Sequence, residues 1–158
     1  MRLENKIAIV TGAGGGFGEG IAKLFAEEGA KVCVADIRAD QAERVASEIG
    51  NAAVAAAGDV STTAGIEAIV NATRDAFGEA DIVVNNAGVT HRNQPMLEVD
   101  EETFDEIYAV NVKSLFLMAK ATVPAMRAKG GGSIINIGST AGLRPRPGLV
   151  WYNGSKGA

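Results

Sequence analysis

One cysteine, one histidine and one tryptophan in 158 residues leave little material for cross-linking, metal binding or aromatic packing. With Cys33 alone, no intrachain disulfide can form. Its setting, Lys31-Val32-Cys33-Val34, predicts a buried and inert thiol, because a reactive one needs exposed, electropositive surroundings. One Cys and one His (His91) cannot build a zinc site, so no metal centre is expected. Five Phe, two Tyr and one Trp are too few to fill a core, which must instead be Ala, Val, Ile and Leu. Basic residues are also in the minority, 15 against 19 acidic, for a net charge of −4. An acidic chain without a basic stripe excludes nucleic acid as a partner. No apolar run is long enough to cross a bilayer, and Met1-Arg2-Leu3-Glu4-Asn5-Lys6 lacks the apolar stretch of a signal peptide, so a cytoplasmic protein without a membrane partner is expected.

What the chain does have is glycine, 20 of them, placed between apolar runs. The length suits one domain over residues 1–158. Ile7–Val10, Val32–Ile37, Ala53–Ala57, Ile82–Val84 and Ser133–Ile137 read as buried strands. Helical spacing predicts helices over Phe17–Glu28, Asp40–Ile49, Ser61–Phe77 (capped by Ser61), Glu101–Asn111, Val112–Lys129 and onward from Trp151. Pro124 is a predicted kink, and Arg144–Gly148 a loop. Strands too apolar to face water, alternating with helices, imply a doubly wound parallel sheet, α/β and Rossmann-like, with helices on both faces.

Thr11-Gly12-Ala13-Gly14-Gly15-Gly16-Phe17-Gly18 joins the first strand to the first helix. Such a turn lets backbone approach a pyrophosphate, and the helix amino terminus presents free N–H groups to the anion. The glycines fit two patterns, one through Gly12, Gly16 and Gly18, the other through Gly12, Gly15 and Gly18. Asp36 ends the second strand 18 residues beyond Gly18, where a dinucleotide fold puts its ribose-binding acid. A carboxylate there accepts both ribose hydroxyls and repels a 2′-phosphate. Arg38 pulls towards NADP, but no basic residue lies inside the turn, so NAD is the expected cofactor.

These residues resemble the short-chain dehydrogenase/reductase family, and the match runs through the chain. Asp59-Val60 stands where that family surrounds the adenine, and Asn85-Asn86-Ala87-Gly88 is similar to its N-N-A-G signature. Asn111, Ser139, Tyr152 and Lys156 fall where the family has its catalytic tetrad. Tyr-x-x-x-Lys is a short pattern, but here it occurs once, 13 residues past Ser139. The resemblance implies cofactor contacts from Gly12, Gly16, Phe17, Gly18, Asp36, Asp59, Val60, Asn86, Tyr152 and Lys156. It implies interconversion of a secondary alcohol and a ketone, a small-molecule substrate, and a homo-oligomer (dimer or tetramer).

The chemistry asks for these groups. A free tyrosine has a pKa of about 10, too high for proton exchange near neutrality. Lys156, four residues on and so on the same helical face, stabilises the phenolate of Tyr152, the general acid/base. By resemblance Lys156 also binds the nicotinamide ribose, Ser139 hydrogen-bonds the substrate oxygen, and Asn111 holds a water linking Lys156 to solvent. Taken singly, Ser139 is also readable as a loop hydroxyl, Asn111 as a helix kink or cap, and Lys156 as a solvated charge. His91 is expected on a surface loop, with a substrate contact as the alternative. Trp151 packs either on the substrate side or in the core. Family members continue beyond the lysine motif, so the chain is expected to be an amino-terminal portion, with activity belonging to a longer parent. The second reading is a catalytically silent dinucleotide-binding scaffold.

Overall fold

A computed structural model describes residues 1–158. The short β-branched and alanine-rich runs form β1 (Ile7–Thr11), β2 (Lys31–Asp36), β3 (Ala53–Ala57), β4 (Ile82–Asn85) and β5 (Ser133–Asn136). The helices are α1 (Gly16–Glu27), α2 (Ala39–Ile49), α3 (Thr63–Phe77), α4 (Glu101–Tyr108), α5 (Ser114–Ala128) and α6 (Val150–Gly157). Every expected element is present, with ends moved by a residue or a few.

Two local expectations change. The cap of α3 is Thr62, whose Oγ1 accepts the Gly65 N–H at 3.0 Å, and not Ser61. α3 starts at Thr63, so Ser61 lies one residue before the cap, with its own N–H donating to Asp59 Oδ1. The two helices expected on either side of Asn111 are continuous. A π-helical turn, Ala109–Lys113, joins α4 to α5 and carries Asn111 at its centre. Pro124 lies inside α5.

The sheet has the order β3-β2-β1-β4-β5 and every pairing is parallel. The chain winds outward from β1 to β3, then returns to lay β4 on the other side of β1. The order therefore reverses between β1 and β4, and ligands of such sheets bind in the crevice beyond the carboxyl ends of those strands. Successive residues point to opposite faces. Ile9, Cys33 and Val83 pack under α3 and α5 against Ile66, Ile69 and Met118. Val10, Val32, Val34 and Val84 pack under α1 and α2 against Ala22, Ala42 and Val45. Each fully buried Ile or Val contributes about 1.5–3 kcal/mol relative to exposure. Alanine on the facing helices lets them lie close to the sheet, as the scarcity of aromatics requires.

Candidate functional site

The glycine turn leaves β1 at the crevice. Gly12 (φ +61°) and Gly16 (φ +57°) hold left-handed backbone, whereas Gly15 is extended at −178°. The backbone thus resolves the two glycine patterns in favour of Gly12, Gly16 and Gly18, since any residue can adopt the conformation at Gly15. Gly18 is required for contact: a Cβ would collide with the Gly12 carbonyl oxygen and stand 2.6 Å from Asn86 Nδ2. α1 opens without a side-chain cap, so its first-turn N–H groups, including those of Phe17 and Gly18, have no intrahelical partner. The Phe17 side chain is exposed and stands away from the crevice lining.

Beyond the strand ends lies a cleft of about 520 Å³, lined by Gly12, Asp36, Arg38, Asp59, Val60, Asn86 and Gly88 among others. Asp36 is buried to 7 % exposure at the end of β2. Its Oδ2 accepts the Gly14 N–H at 2.9 Å, and its Oδ1 accepts the Arg38 N–H at 3.0 Å and Nε at 3.4 Å. Gly14 has no room for a side chain, because a Cβ would stand 2.8 Å from Asp36 Oδ2. Asp59, beyond β3, turns its carboxylate to the Ser61 N–H, with Val60 beside it in the wall. Gly12, Asp36, Asp59, Val60 and Asn86, expected to share one role, therefore share one cleft.

Thr11, which opens the glycine-rich segment, also has a role that its spacing does not reveal. Its hydroxyl accepts the N–H groups of Asn86 and Ala87, both at 3.1 Å. In return, Asn86 Nδ2 donates to the carbonyls of Thr11 (2.9 Å) and Gly12 (3.1 Å). This reciprocal clamp locks the end of β4 to the glycine turn. Asn85, the preceding residue, instead bonds Asn136 across to β5 at 2.8 Å.

The second half of the site gathers around α6. Asn111, 5 % exposed in its π turn, grips Val89: Oδ1 accepts the Val89 N–H and Nδ2 donates to the Val89 carbonyl, both at 2.9 Å. Lys156 Nζ donates to the carbonyl of Ile137 at 3.1 Å, just past β5. Asn111 and Lys156 both stand close to Gly88. A Cβ there would stand 3.2 Å from Asn111 Oδ1 and 3.3 Å from Lys156 Nζ. Ser139 follows β5 half-buried, and its Oγ accepts the Ala141 N–H at 3.1 Å, closing a 3-10 turn (Thr140–Gly142). Gly142 of that turn lies against the main chain of Lys156. Tyr152, half-buried, sits one helical turn before Lys156 on α6. Asn111 and Lys156 thus border the same space beside Gly88, while Ser139, from the turn packed on α6, makes no hydrogen bond to Tyr152.

Three other residues complete the picture. His91 is buried at 6 % exposure, against the expected surface position. Its loop is drawn down by the Gln94 N–H on the Gly148 carbonyl (3.0 Å) and by Asn93 Nδ2 on the Pro147 carbonyl (2.8 Å). His91 Nδ1 lies 2.7 Å from the Arg92 carbonyl, and Nε2 has no partner. Trp151 packs edge-on against Phe104 at 5.3 Å and donates Nε1 to the Met96 carbonyl at 3.2 Å. Cys33 is buried as expected, and burial pushes its thiol up to about 11.

The sequence profile of the short chain dehydrogenases matches residues 6–158. The chain is 47% identical over 161 residues to 4-formylbenzenesulfonate dehydrogenase of Comamonas testosteroni, covering 100% of this chain and 64% of that protein. It is 43% identical to galactitol 2-dehydrogenase of Agrobacterium fabrum, covering 100% of this chain and 62% of that one. Among solved structures, 3-ketoacyl-(acyl-carrier-protein) reductase from Brucella melitensis, complexed with NADH, superposes with a TM-score of 0.95. The two are 50% identical, and the match covers 98% of this chain and 66% of that one. The chain therefore spans a little under two thirds of the length of these relatives.

Proposed function

Because this chain belongs to the short-chain dehydrogenase family, we propose that the protein is an NAD-dependent oxidoreductase interconverting a secondary alcohol and a ketone, with residues 1–158 as its nucleotide-binding domain. The observation that carries the reading is the position of Gly88, which lines the cleft together with Gly12 and Asp36 and has Asn111 Oδ1 and Lys156 Nζ beside it. Gly88 thus links the cleft to the proton-handling pair.

The residues present fit a nicotinamide dinucleotide. Gly12 and Gly16 supply a cradle that side chains would obstruct, and the uncapped amino terminus of α1 supplies N–H donors for a pyrophosphate. When bound, the nicotinamide accepts or supplies hydride. Asp36 accepts the adenosine ribose hydroxyls and disfavours a 2′-phosphate, which makes NAD the preferred form over NADP. Asp59 and Val60 flank the adenine.

Tyr152 holds the proton that leaves or joins the substrate oxygen. Lys156 stands one turn away on α6, on the same helical face. Lys156 also meets the nicotinamide ribose. Ser139 donates a hydrogen bond to the substrate oxygen as charge develops there. Asn111 Oδ1 keeps an acceptor position beside the space that Lys156 Nζ also borders, which suits a water that passes the proton on to solvent.

A panel of secondary alcohols with NAD and NADP, followed by NAD(P)H absorbance on the full-length protein, tests this reading. Tyr152→Phe should lower kcat by roughly 10²–10⁴-fold while NAD affinity stays nearly unchanged. Retention of more than about a tenth of the activity would place the proton on another group.

A further inference from the structure

Asn111 uses the two ends of its amide unequally. An amide nitrogen carries two N–H donors, and its oxygen accepts two hydrogen bonds. Nδ2 is saturated, with one N–H on the Val89 carbonyl and the other on Ser155 Oγ at 2.9 Å. Oδ1 accepts only the Val89 N–H and keeps one acceptor position, beside the space over Gly88 that Lys156 Nζ also borders.

Ser155 is the partner that makes this arrangement directional. Its hydroxyl proton goes to the Tyr152 carbonyl at 2.8 Å, so only the lone pairs of Oγ are left to face Asn111. Ser155 is 4 % exposed and Asn111 5 %. Water is thus kept from replacing the link, and an unmet donor there is expensive. The same link is the hydrogen bond that joins the π turn to α6, across 44 residues of sequence.

We propose that Ser155 is a positioning residue for the proton-handling step. It holds the Asn111 amide and the Tyr152 main chain in one buried hydrogen-bonded chain, so that Asn111 Oδ1 and Lys156 Nζ both border the space beside Gly88. The inference rests on the oxidoreductase reading above. It adds to that reading the group that keeps Asn111 aimed. Without the hydroxyl, one Nδ2 N–H loses its buried acceptor, only the Val89 pair holds the amide, and Oδ1 is less firmly aimed. Substrate and nucleotide surfaces are left in place.

The test is the pH dependence of alcohol oxidation by the full-length enzyme carrying Ser155→Ala or Ser155→Thr. For Ser155→Ala we expect kcat to fall by roughly tenfold, with KM for the alcohol and NAD affinity within about twofold of the unmodified enzyme. The acidic limb of the kcat profile should move by about half a pH unit, because the path that passes the proton on through Asn111 is no longer aligned. Ser155→Thr should restore the unmodified profile, since a helical threonine hydroxyl bonds the carbonyl of the preceding turn in the same way. If the alanine variant does not fold, Ser155→Cys, with a weaker acceptor of similar size, should give a smaller shift in the same direction.

Superimposable profiles for the unmodified and alanine enzymes would overturn the proposal. So would activity lost only in proportion to folded protein, at an unchanged profile. A folded threonine variant with the alanine profile would also count against it. Absence of any NAD(P)-linked turnover in the unmodified enzyme is a different result, which removes the oxidoreductase reading and this inference together.

Discussion

Asp36 meets three N–H groups of its own chain before any ribose reaches it. Gly14 and Arg38 hold the carboxylate at the cleft wall, so an incoming sugar finds an acceptor already oriented. Arg38, mostly exposed, is kept beside the carboxylate it partly neutralises. Removing the carboxylate by Asp36→Ala takes away the acceptor and releases the guanidinium to meet a 2′-phosphate. A hydrogen bond to a charged group is worth about 1.5–3 kcal/mol. The preference for NAD over NADP should therefore shrink by roughly ten- to hundredfold. Titration of both cofactors by calorimetry or Trp151 fluorescence measures it. Tighter binding of NADP by the unmodified protein would reverse the assignment and make Arg38 the deciding residue. Gly154 illustrates a different kind of residue-level dependence. A Cβ there would stand 2.7 Å from the Tyr108 hydroxyl, and Tyr108 is itself held by Phe104 at 4.6 Å between ring centres. The glycine inside the Tyr152–Lys156 segment is thus matched to an aromatic ring on α4.

At the scale of elements, α1 and α2 are tied by a charged cluster as well as by the sheet they cover. Glu19 of α1 meets Lys23 and Arg44, and Glu48 of α2 meets the same two cations. Arg44 also reaches back to the Gly14 carbonyl at 3.1 Å, linking the cluster to the nucleotide turn. The hydrogen bonds from Arg44 and then Lys23 hold the Glu19 carboxyl down to about 2, from an ordinary 4.5. Lys23 and then Arg44 lower Glu48 in the same sense. A depressed carboxylate stabilises the fold above its unfolded pKa and loses that contribution as pH falls through the folded one. Tm should therefore fall as pH drops from about 4.5 to about 2. Glu19→Gln with Glu48→Gln should flatten part of that fall. Because the groups lie at the surface, added salt should flatten it too. Melts of both proteins over this range check the sign, and an identical acid dependence would mean that other carboxylates govern it.

The elements themselves were largely legible in the sequence, because each depends on neighbours within a dozen residues. The apolar runs, the helical spacing and the glycine stops at Gly50 and Gly78 carry their own period. The site was legible where its residues fall into short patterns, as Tyr152 and Lys156 do. It was not legible where partners are brought together by the sheet. Thr11 clamps Asn86 across 75 residues because β1 pairs with β4, and Ser155 meets Asn111 only once α6 has docked. Burial of His91 likewise depends on a loop docking onto Pro147 and Gly148, which loop composition does not reveal. The continuous passage from α4 to α5 also escaped, since a π turn repeats with neither the helical nor the strand period.

At the scale of the whole molecule, the two sheet edges differ in what they offer to another chain. β3 closes one edge with alanine and valine, short side chains with little surface to bury. β5 closes the other, pairs only with β4, and leaves Ile134 and Ile135 at 37 % and 43 % exposure. Beside it Leu3, Leu24, Phe25, Ile82 and Ile135 border a hollow that Arg2, Glu28 and Ser133 also line. No charged residue lies in β5 itself, so nothing there opposes strand pairing. Unpaired backbone donors and acceptors next to apolar side chains form a template for another strand. The 158-residue polypeptide, prepared alone, should therefore associate through this edge, and size-exclusion chromatography with light scattering should report a mass above one chain. Ile135→Lys places a charge on the edge and against the hollow, and should shift the population towards monomer while leaving far-UV circular dichroism unchanged. Nucleotide affinity should survive in that variant, since Gly12, Asp36 and the start of α1 lie across β1 from the edge. A monomeric unmodified chain would show that the edge is protected by its twist and neighbouring helices. Equal association by both chains would move the contact elsewhere, with exposed Phe116 on α5 the next surface to change.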